Sequence, residues 1–533
     1  MLLNMWMYDL AREQAPTYDH LQTFCRLSLD SGYNGLGLYL EHRFKYKSAP
    51  WIAGTGALEP ETIKKLQKEF PELQIIPFIN LLGHFEGFLY SEQGHQFAEE
   101  PFVGMQACPS NSDFVALAKN LINDTVEAFS SEIIHIGGDE TMQLGRCPKC
   151  KAKVEEWEKQ EGVDGKGKLF GEHFGPMAKY VNDLGRRPAV WGDMFLEHPQ
   201  ALEYMPKNTL MFDWQYFDSC LESSEKWMEK GYDVVLSPTL HVYDAAWCHL
   251  LPSEANVRQL TKEAREINAF GLCLTTWECG LFSAYDSLFP AISATGKIFS
   301  GKTPIPTRPF RDTESTNLKE EADYDIEQSL FLKAYSEENE RYEVWARIMG
   351  VDLNECGKAF AFNGMRSSLK VRFLLQANPF LVWLNHHEEL TGPRGDKALL
   401  LVNEALKVAP NEAAKGISLF VRSVIEFVRI VENARQEYSD GNSEKTIAKL
   451  ALTRQIFDDL SRVATRTHNR IGGSLADIER CKVAKEQVER VIVRIRRYAD
   501  GSLGYMPSFE HLTSLNFMPH DQAAWWLINH WAR

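Results

Sequence analysis

The chain has 533 residues, a formal net charge of -15, 44% hydrophobic residues and 25% charged residues. Such a length calls for two or three domains around ordinary soluble cores. The acidic balance argues against nucleic acid or an anionic membrane as a partner, and no apolar run nears the roughly 18 residues that a bilayer span needs.

The opening stretch MLLNMWMYDLAREQ has no basic region, and its apolar part meets Asp9 and Arg12 too early for a signal peptide. The cytoplasm is therefore the expected location, and the glycosylation sequon at Asn123 carries no weight. The ten cysteines are scattered singly apart from Cys147-Pro-Lys-Cys150, and are expected as reduced thiols. A lone CxxC can be half of a zinc site, but no second pair at ribbon-like spacing follows it, so no metal is assigned.

In chain order, strand candidates fall at 2–10, 35–40, 73–80, 132–138, 187–194, 209–216, 232–238 and 271–278. Helix-like stretches lie between them. TYDHLQTFCRLSLDSG is one, opening on a Thr cap and closing on Gly; PETIKKLQKEF, SDFVALAKNLINDTVEAF and SEANVRQLTKEAREIN are others. Eight strands alternating with helices predict a parallel sheet closed as an α/β (β/α)8 barrel over residues 1–310. No Gly-x-Gly-x-x-Gly follows a strand, which disfavours a doubly wound nucleotide fold. The segment from about 301 to 325 is rich in Pro, Thr and charge, and a linker is expected within it at 311–325. An α-helical C-terminal domain is expected at 326–533, from amphipathic runs such as AAKGISLFVRSVIEFVRIVENARQEYSDG.

In such a barrel the chemistry sits at the C-terminal strand ends. Those ends carry Asp9 and Arg12; Glu41, His42 and Arg43; His84 and Glu86; Asp139 and Glu140; Trp191 and Asp193; Asp213, Trp214 and Tyr216; His241, Tyr243, Asp244 and Trp247; and Trp277 and Glu278. Acids and indoles on one rim suit a sugar, whose CH faces pack on Trp while its hydroxyls meet charged groups such as Arg12. Asp139 and Glu140 are adjacent, and a strand sends neighbours to opposite faces. Both can serve one pocket only if Gly137-Gly138 ends the strand. Crowded carboxylates also acquire different pKa values, as a general acid requires.

These residues bring a resemblance with them. His135-Ile-Gly-Gly-Asp-Glu140 resembles the His-x-Gly-Gly-Asp-Glu signature of family 20 glycoside hydrolases, the β-N-acetylhexosaminidases, and looks closest to their compact bacterial branch with a helical C-terminal region. Tyr8-Asp-Leu-Ala-Arg12 resembles the family's first-strand Asp-x-Ala-Arg. Leu81-Leu-Gly-His84 resembles its Pro-Gly-His turn, and Trp191, Trp214 and Trp277 resemble its substrate-boxing tryptophans. The resemblance implies an exo-acting enzyme that removes a terminal β-linked GlcNAc or GalNAc from an oligosaccharide or glycoconjugate. It implies a retaining, substrate-assisted route with no cofactor, in which Asp139 orients the acetamido group and Glu140 is the general acid/base. Arg12 would grip hydroxyls, Tyr243 would donate to the acetamido oxygen with Asp244 helping to orient it, and His84 would form a relay with Glu41. Strand eight departs from the pattern: Glu278 directly follows Trp277, and Cys279 takes the usual acid's slot. Strand two offers Glu41-His42-Arg43 in place of an aspartate pair. Gly-Gly-Asp-Glu also resembles a diguanylate cyclase signature, but Thr141 replaces its Phe. A non-catalytic sugar-binding barrel is a further alternative, as is a metal-dependent hydrolase, which would want His-x-His on strand one. The helical region is assigned a structural or dimer-forming role, with a second copy of the chain as candidate partner.

Overall fold

The computed structural model describes residues 2–513 apart from 13, 102–104, 244, 278–280, 361–372, 374–377, 472, 474, 503 and 505. Eight parallel strands, Leu3–Asp9 (β1), Gly35–Tyr39 (β2), Gln74–Phe78 (β3), Ile133–His135 (β4), Arg187–Trp191 (β5), Leu210–Asp213 (β6), Asp233–Leu236 (β7) and Gly271–Leu274 (β8), close in sequential order. All eight fall inside the spans expected from sequence, each shorter at one end or both. The helices between them also follow the local signals. Tyr18–Ser31 starts on Thr17, whose hydroxyl accepts from His20 N, and ends on Gly32 at φ 92°. Pro60–Glu69 and Ser112–Ala128 begin on Pro60 and on the Asn111 side-chain cap respectively.

The period of two along each strand decides what fills the barrel. Leu3, Met5 and Met7 of β1, Ile76 and Phe78 of β3, Ala189 and Trp191 of β5, and Leu210 and Phe212 of β6 meet in one buried cluster, with Trp214 and Trp277 packed against it. Between them lie the β2 glycines. A Cβ on Gly37 would stand 2.8 Å from both Met5 Cε and Phe78 Cε2, so the inward position is closed to any side chain. The outward set packs on helices: Trp6 donates its indole N–H to Ser28 Oγ at 2.7 Å and meets Phe24 edge-on.

By compactness the chain divides into two units. The barrel unit comprises 1–239, 255–277 and 292–323, so 311–323, most of the expected linker, goes with the barrel. There, Arg311 holds its own loop by donating to the carbonyls of Ser315, Asn317 and Glu320. The second unit comprises 324–533 together with 240–254 and 278–291, two segments from within the 1–310 span. Its long helices Glu412–Ser439, Ser443–Thr467 and Leu475–Ala499 pack in series. Phe373, Phe427 and Phe457 form an aromatic centre, and Trp247 lies against Trp345 with centroids 4.5 Å apart. Among the described residues no helix is long and apolar enough to cross a membrane.

Candidate active site

Continuing each strand's inward parity past its last residue leads to the mouth of the barrel, and there the predicted residues gather. β4 ends at His135, and Gly137 and Gly138 follow at φ 78° and 109°. Their left-handed backbone breaks the alternation, and Glu140 continues the departure at φ 44°. Four non-glycine residues among those described have positive φ, and three of them are Glu41, His84 and Glu140. Such conformations cost of order 1–3 kcal/mol each and persist where the surroundings impose them, typically at functional sites.

The strain brings the side chains together. His84 Nε2 lies 3.2 Å from Glu140 Oε2 and 3.4 Å from Asp139 Oδ2. Its Nδ1 faces Glu86 Oε1 at 3.6 Å. Burial opposes charge on this imidazole, but Asp139, Glu140 and Glu86 outweigh it and hold the pKa of His84 well above its usual value. The imidazolium therefore donates to the carboxylates. Asp139 is buried, which raises its pKa; His84 counters that shift and Glu140 adds to it. Asp139 Oδ1 is buried with no hydrogen-bond partner among the described residues, an acceptor left for something else.

The expected relay from His84 to Glu41 is corrected by these contacts. Glu86, one turn after the histidine, takes the position against Nδ1, while Glu41 bonds His42 Nδ1 at 3.0 Å. Glu41 remains close to the group: burial and then the Glu86 charge raise its pKa.

Tryptophans and Arg12 complete the mouth. Trp191 is fully buried, and its indole Nε1 has no hydrogen-bond partner among the described residues. Trp277 meets Trp191 at 5.9 Å and Tyr39 edge-on at 5.0 Å, and donates Nε1–H to Tyr216 Oη at 2.6 Å. Arg12 sits over the rings of Tyr39 and Trp277 at 5.4 and 5.5 Å, anchored to Asp9 at 3.3 Å. Trp214 donates to Asp193 Oδ1 at 3.2 Å, and Asp193 Oδ2 accepts the backbone N–H of Glu140 at 2.9 Å. Asp193 thus joins the indole wall to the strained residue of the pair. Its place at a strand end was legible, but this role was not, because a strand-end rule does not say which N–H an acid accepts. Asp213, another strand-end acid, faces away from the mouth and accepts from Ser223 and Ser224.

Among the expected residues, Arg12, Glu41, His84, Asp139, Glu140, Trp191, Trp214 and Trp277 all belong to the barrel unit. Tyr243 belongs to the second unit, where its hydroxyl lies 3.5 Å from His241 Nδ1. Asp244 and Glu278 lie outside the described residues. The Gly-Gly-Asp-Glu motif ends a parallel barrel strand, a context unlike the hairpin turn of a nucleotide cyclase. Separately, Glu99, Cys108, Cys147 and Cys150 bring four potential metal-ligand atoms within 4.8 Å of one another.

Residues 74–277 match the family model described as glycosyl hydrolase family 20, catalytic domain. None of the curated proteins matches the chain. Similar solved structures include a β-N-acetylhexosaminidase from Bacteroides fragilis, at 17% identity and TM-score 0.42, covering 56% of this chain and 65% of that one. Another is a family 20 exo-β-N-acetylglucosaminidase from Vibrio harveyi in complex with N-acetylglucosamine, at 17% identity and TM-score 0.45, covering 56% and 54%. The chain thus spans less than two thirds of the length of either. The stretch that matches, from β3 to the indole at the end of β8, carries the paired carboxylates, His84 and all three tryptophans, and it is this part of the chain that is similar to the catalytic domain of glycosyl hydrolase family 20.

Proposed function

We propose that this protein is an exo-acting β-N-acetylhexosaminidase that removes terminal β-linked GlcNAc or GalNAc with retention, using the substrate's own acetamido group as nucleophile. The carrying observation is the Asp139–Glu140 pair, turned into one pocket by left-handed backbone and bridged by His84. In this reading the acetamido carbonyl oxygen attacks the anomeric carbon while the glycosidic C–O bond breaks. Glu140 gives its proton to the departing oxygen, producing an oxazolinium ion. Asp139, through the unpartnered Oδ1, accepts the acetamido N–H and stabilises the positive charge that develops. Water then adds to the anomeric carbon from the face the aglycone left, the bond from that carbon to the acetamido oxygen breaks to restore the acetamido group, and Glu140 takes up the water's proton. Trp191, Trp214 and Trp277 box the ring and acetamido methyl, and Arg12 binds ring hydroxyls.

Two adjacent carboxylates suffice because the nucleophile arrives with the sugar, and no cofactor is needed. The same reading has the enzyme in the cytoplasm acting on an oligosaccharide or glycoconjugate, and the net charge of -15 supports a partner other than nucleic acid or membrane. It includes association of a second copy through the helical unit, which light scattering would exclude by returning a monomer mass.

The test is hydrolysis of 4-nitrophenyl β-GlcNAc, β-GalNAc and β-glucoside, with and without a GlcNAc-thiazoline inhibitor. Cleavage of only the N-acetyl sugars, blocked by the thiazoline, is expected. Cleavage of the glucoside would require a protein nucleophile and end the substrate-assisted reading.

A further inference from the structure

We propose that Glu99, Cys108, Cys147 and Cys150 bind one structural zinc ion, and that this ion ties the loop carrying His84 to the loop carrying Asp139 and Glu140. The distances between donor atoms make the first half of the case. Zn–S bonds of about 2.3 Å and Zn–O bonds of about 2.0 Å in a tetrahedron put sulfurs about 3.8 Å apart and sulfur about 3.5 Å from oxygen. Cys108 Sγ lies 3.5 Å from Cys147 Sγ and 3.5 Å from Cys150 Sγ, and Cys150 Sγ lies 3.3 Å from Glu99 Oε2. A disulfide, at about 2.05 Å, explains the arrangement less well. Cys108 is equidistant from two thiols, so either bond would leave a third thiol and a buried carboxylate behind.

Three of the four donor residues are buried, and the fourth is fixed at a helix start. Glu99 is 1% exposed, Cys150 0% and Cys108 6%. Cys147 caps the helix Pro148–Trp157, and its sulfur accepts the backbone N–H of Cys150 at 3.3 Å. Cys150 Sγ also lies 3.2 Å from Ser110 Oγ, to which its thiol donates. Glu99 Oε1 accepts the N–H of Cys147 at 2.9 Å, which fixes the carboxylate with its other oxygen toward the sulfurs. Three thiolates and one carboxylate are a soft, closed four-ligand set suited to zinc in a structural role. Binding releases the thiol protons and involves no electron transfer.

The second half, which rests on the catalytic reading of His84 and Glu140, follows from what the ligands are attached to. Glu99 and Cys108 flank an antiparallel bridge between Ala98 and Ala107, with Glu99 N donating to Gln106 O and Cys108 N to Phe97 O. This hairpin bonds the His84 turn through Ala107 N to Leu82 O at 2.9 Å and Phe85 N to Met105 O at 2.8 Å. Gln143, three residues past Glu140, exchanges hydrogen bonds with Gln106 and Met105 of the same hairpin. The ion would close this circuit at Cys147 and Cys150.

The test is elemental analysis of the untagged full-length chain after dialysis. One zinc per chain is expected, falling below about a tenth of an equivalent in the Cys147→Ser/Cys150→Ser variant and unchanged in Cys356→Ser. Failure of the wild-type chain to retain zinc even after incubation with excess zinc chloride would overturn the site, as would retention by the double variant. So would a disulfide among these cysteines in mass spectra of freshly purified protein. None of these readouts involves hydrolysis, so the zinc site and the hydrolase reading fail separately. Stripping the ion with a chelator should lower kcat about 10²-fold with KM little changed, the size expected when catalytic groups shift by about an ångström. An unchanged kcat in metal-free protein would overturn the tie between the loops.

Discussion

His84 and Glu140 are both held in left-handed backbone conformations, at φ 45° and 44°, and their side chains meet at 3.2 Å. Two local strains from different βα loops thus converge on a single contact. Neither loop could relax to ordinary geometry without withdrawing its side chain, so the strain is a sign of what the loops are arranged to do.

Glu140→Gln should lose about two to four orders of magnitude in kcat/KM on substrates with poor leaving groups, the usual worth of general-acid catalysis. Much less should be lost on a dinitrophenyl glycoside, whose leaving group needs no proton. Asp139→Asn should be comparably slow on both classes and should weaken thiazoline binding. Equal losses across leaving groups for Glu140→Gln would remove it from the role of acid.

His84→Asn should move the acid limb of the pH–rate profile to higher pH. Burial already raises the pKa of Asp139, and the imidazolium is what holds it down. Removing that cation lets Asp139 take a proton at higher pH, and so narrows the active range from the acid side. We expect kcat at the optimum to fall about ten-fold, at the low end of what a positioned acid–base partner contributes. An unmoved acid limb would contradict this assignment.

Burial, then the nearby Asp139 charge, push the pKa of Asp193 up to about 8. An unfolded aspartate titrates near about 3.9. Between those two values the folded state holds a proton that the unfolded state lacks, so this group's contribution to stability declines as pH rises through the window and is flat above it. Asp193→Asn removes the dependence. The difference in melting temperature between wild type and variant should therefore shift against the wild type from about pH 4 to about pH 8. A pH-independent difference would show that Asp193 stays ionised throughout.

A Cβ on Gly83 would stand 2.4 Å from the backbone oxygen of Asp139, an atom that cannot swing aside as a side chain can. Gly83→Ala should leave the barrel folded, destabilised by about 1–3 kcal/mol of overpacking. It should also lower kcat about 10²-fold by displacing the carboxylate pair. Circular dichroism and steady-state kinetics on the same sample would separate the two effects.

The barrel was legible in the sequence because its determinants are local. Each strand is a short apolar run bounded by turn residues, caps such as Thr17 and Asn111 mark the helix starts, and eight repeats of the unit leave closure as the natural arrangement. The candidate pair was legible for the same reason, since Gly137-Gly138-Asp139-Glu140 carries its own backbone break. The rest of the site is a matter of which loops meet, and spacing along the chain does not encode that. Glu86 rather than Glu41 faces His84 because the turn after β3 folds back on itself. Asp193 reaches Glu140 across 53 residues. Cys147-x-x-Cys150 shows half of a metal site in the sequence; its other half, Glu99 and Cys108, is supplied by a hairpin from the preceding loop, because parallel strands with adjacent C-terminal ends bring successive loops side by side.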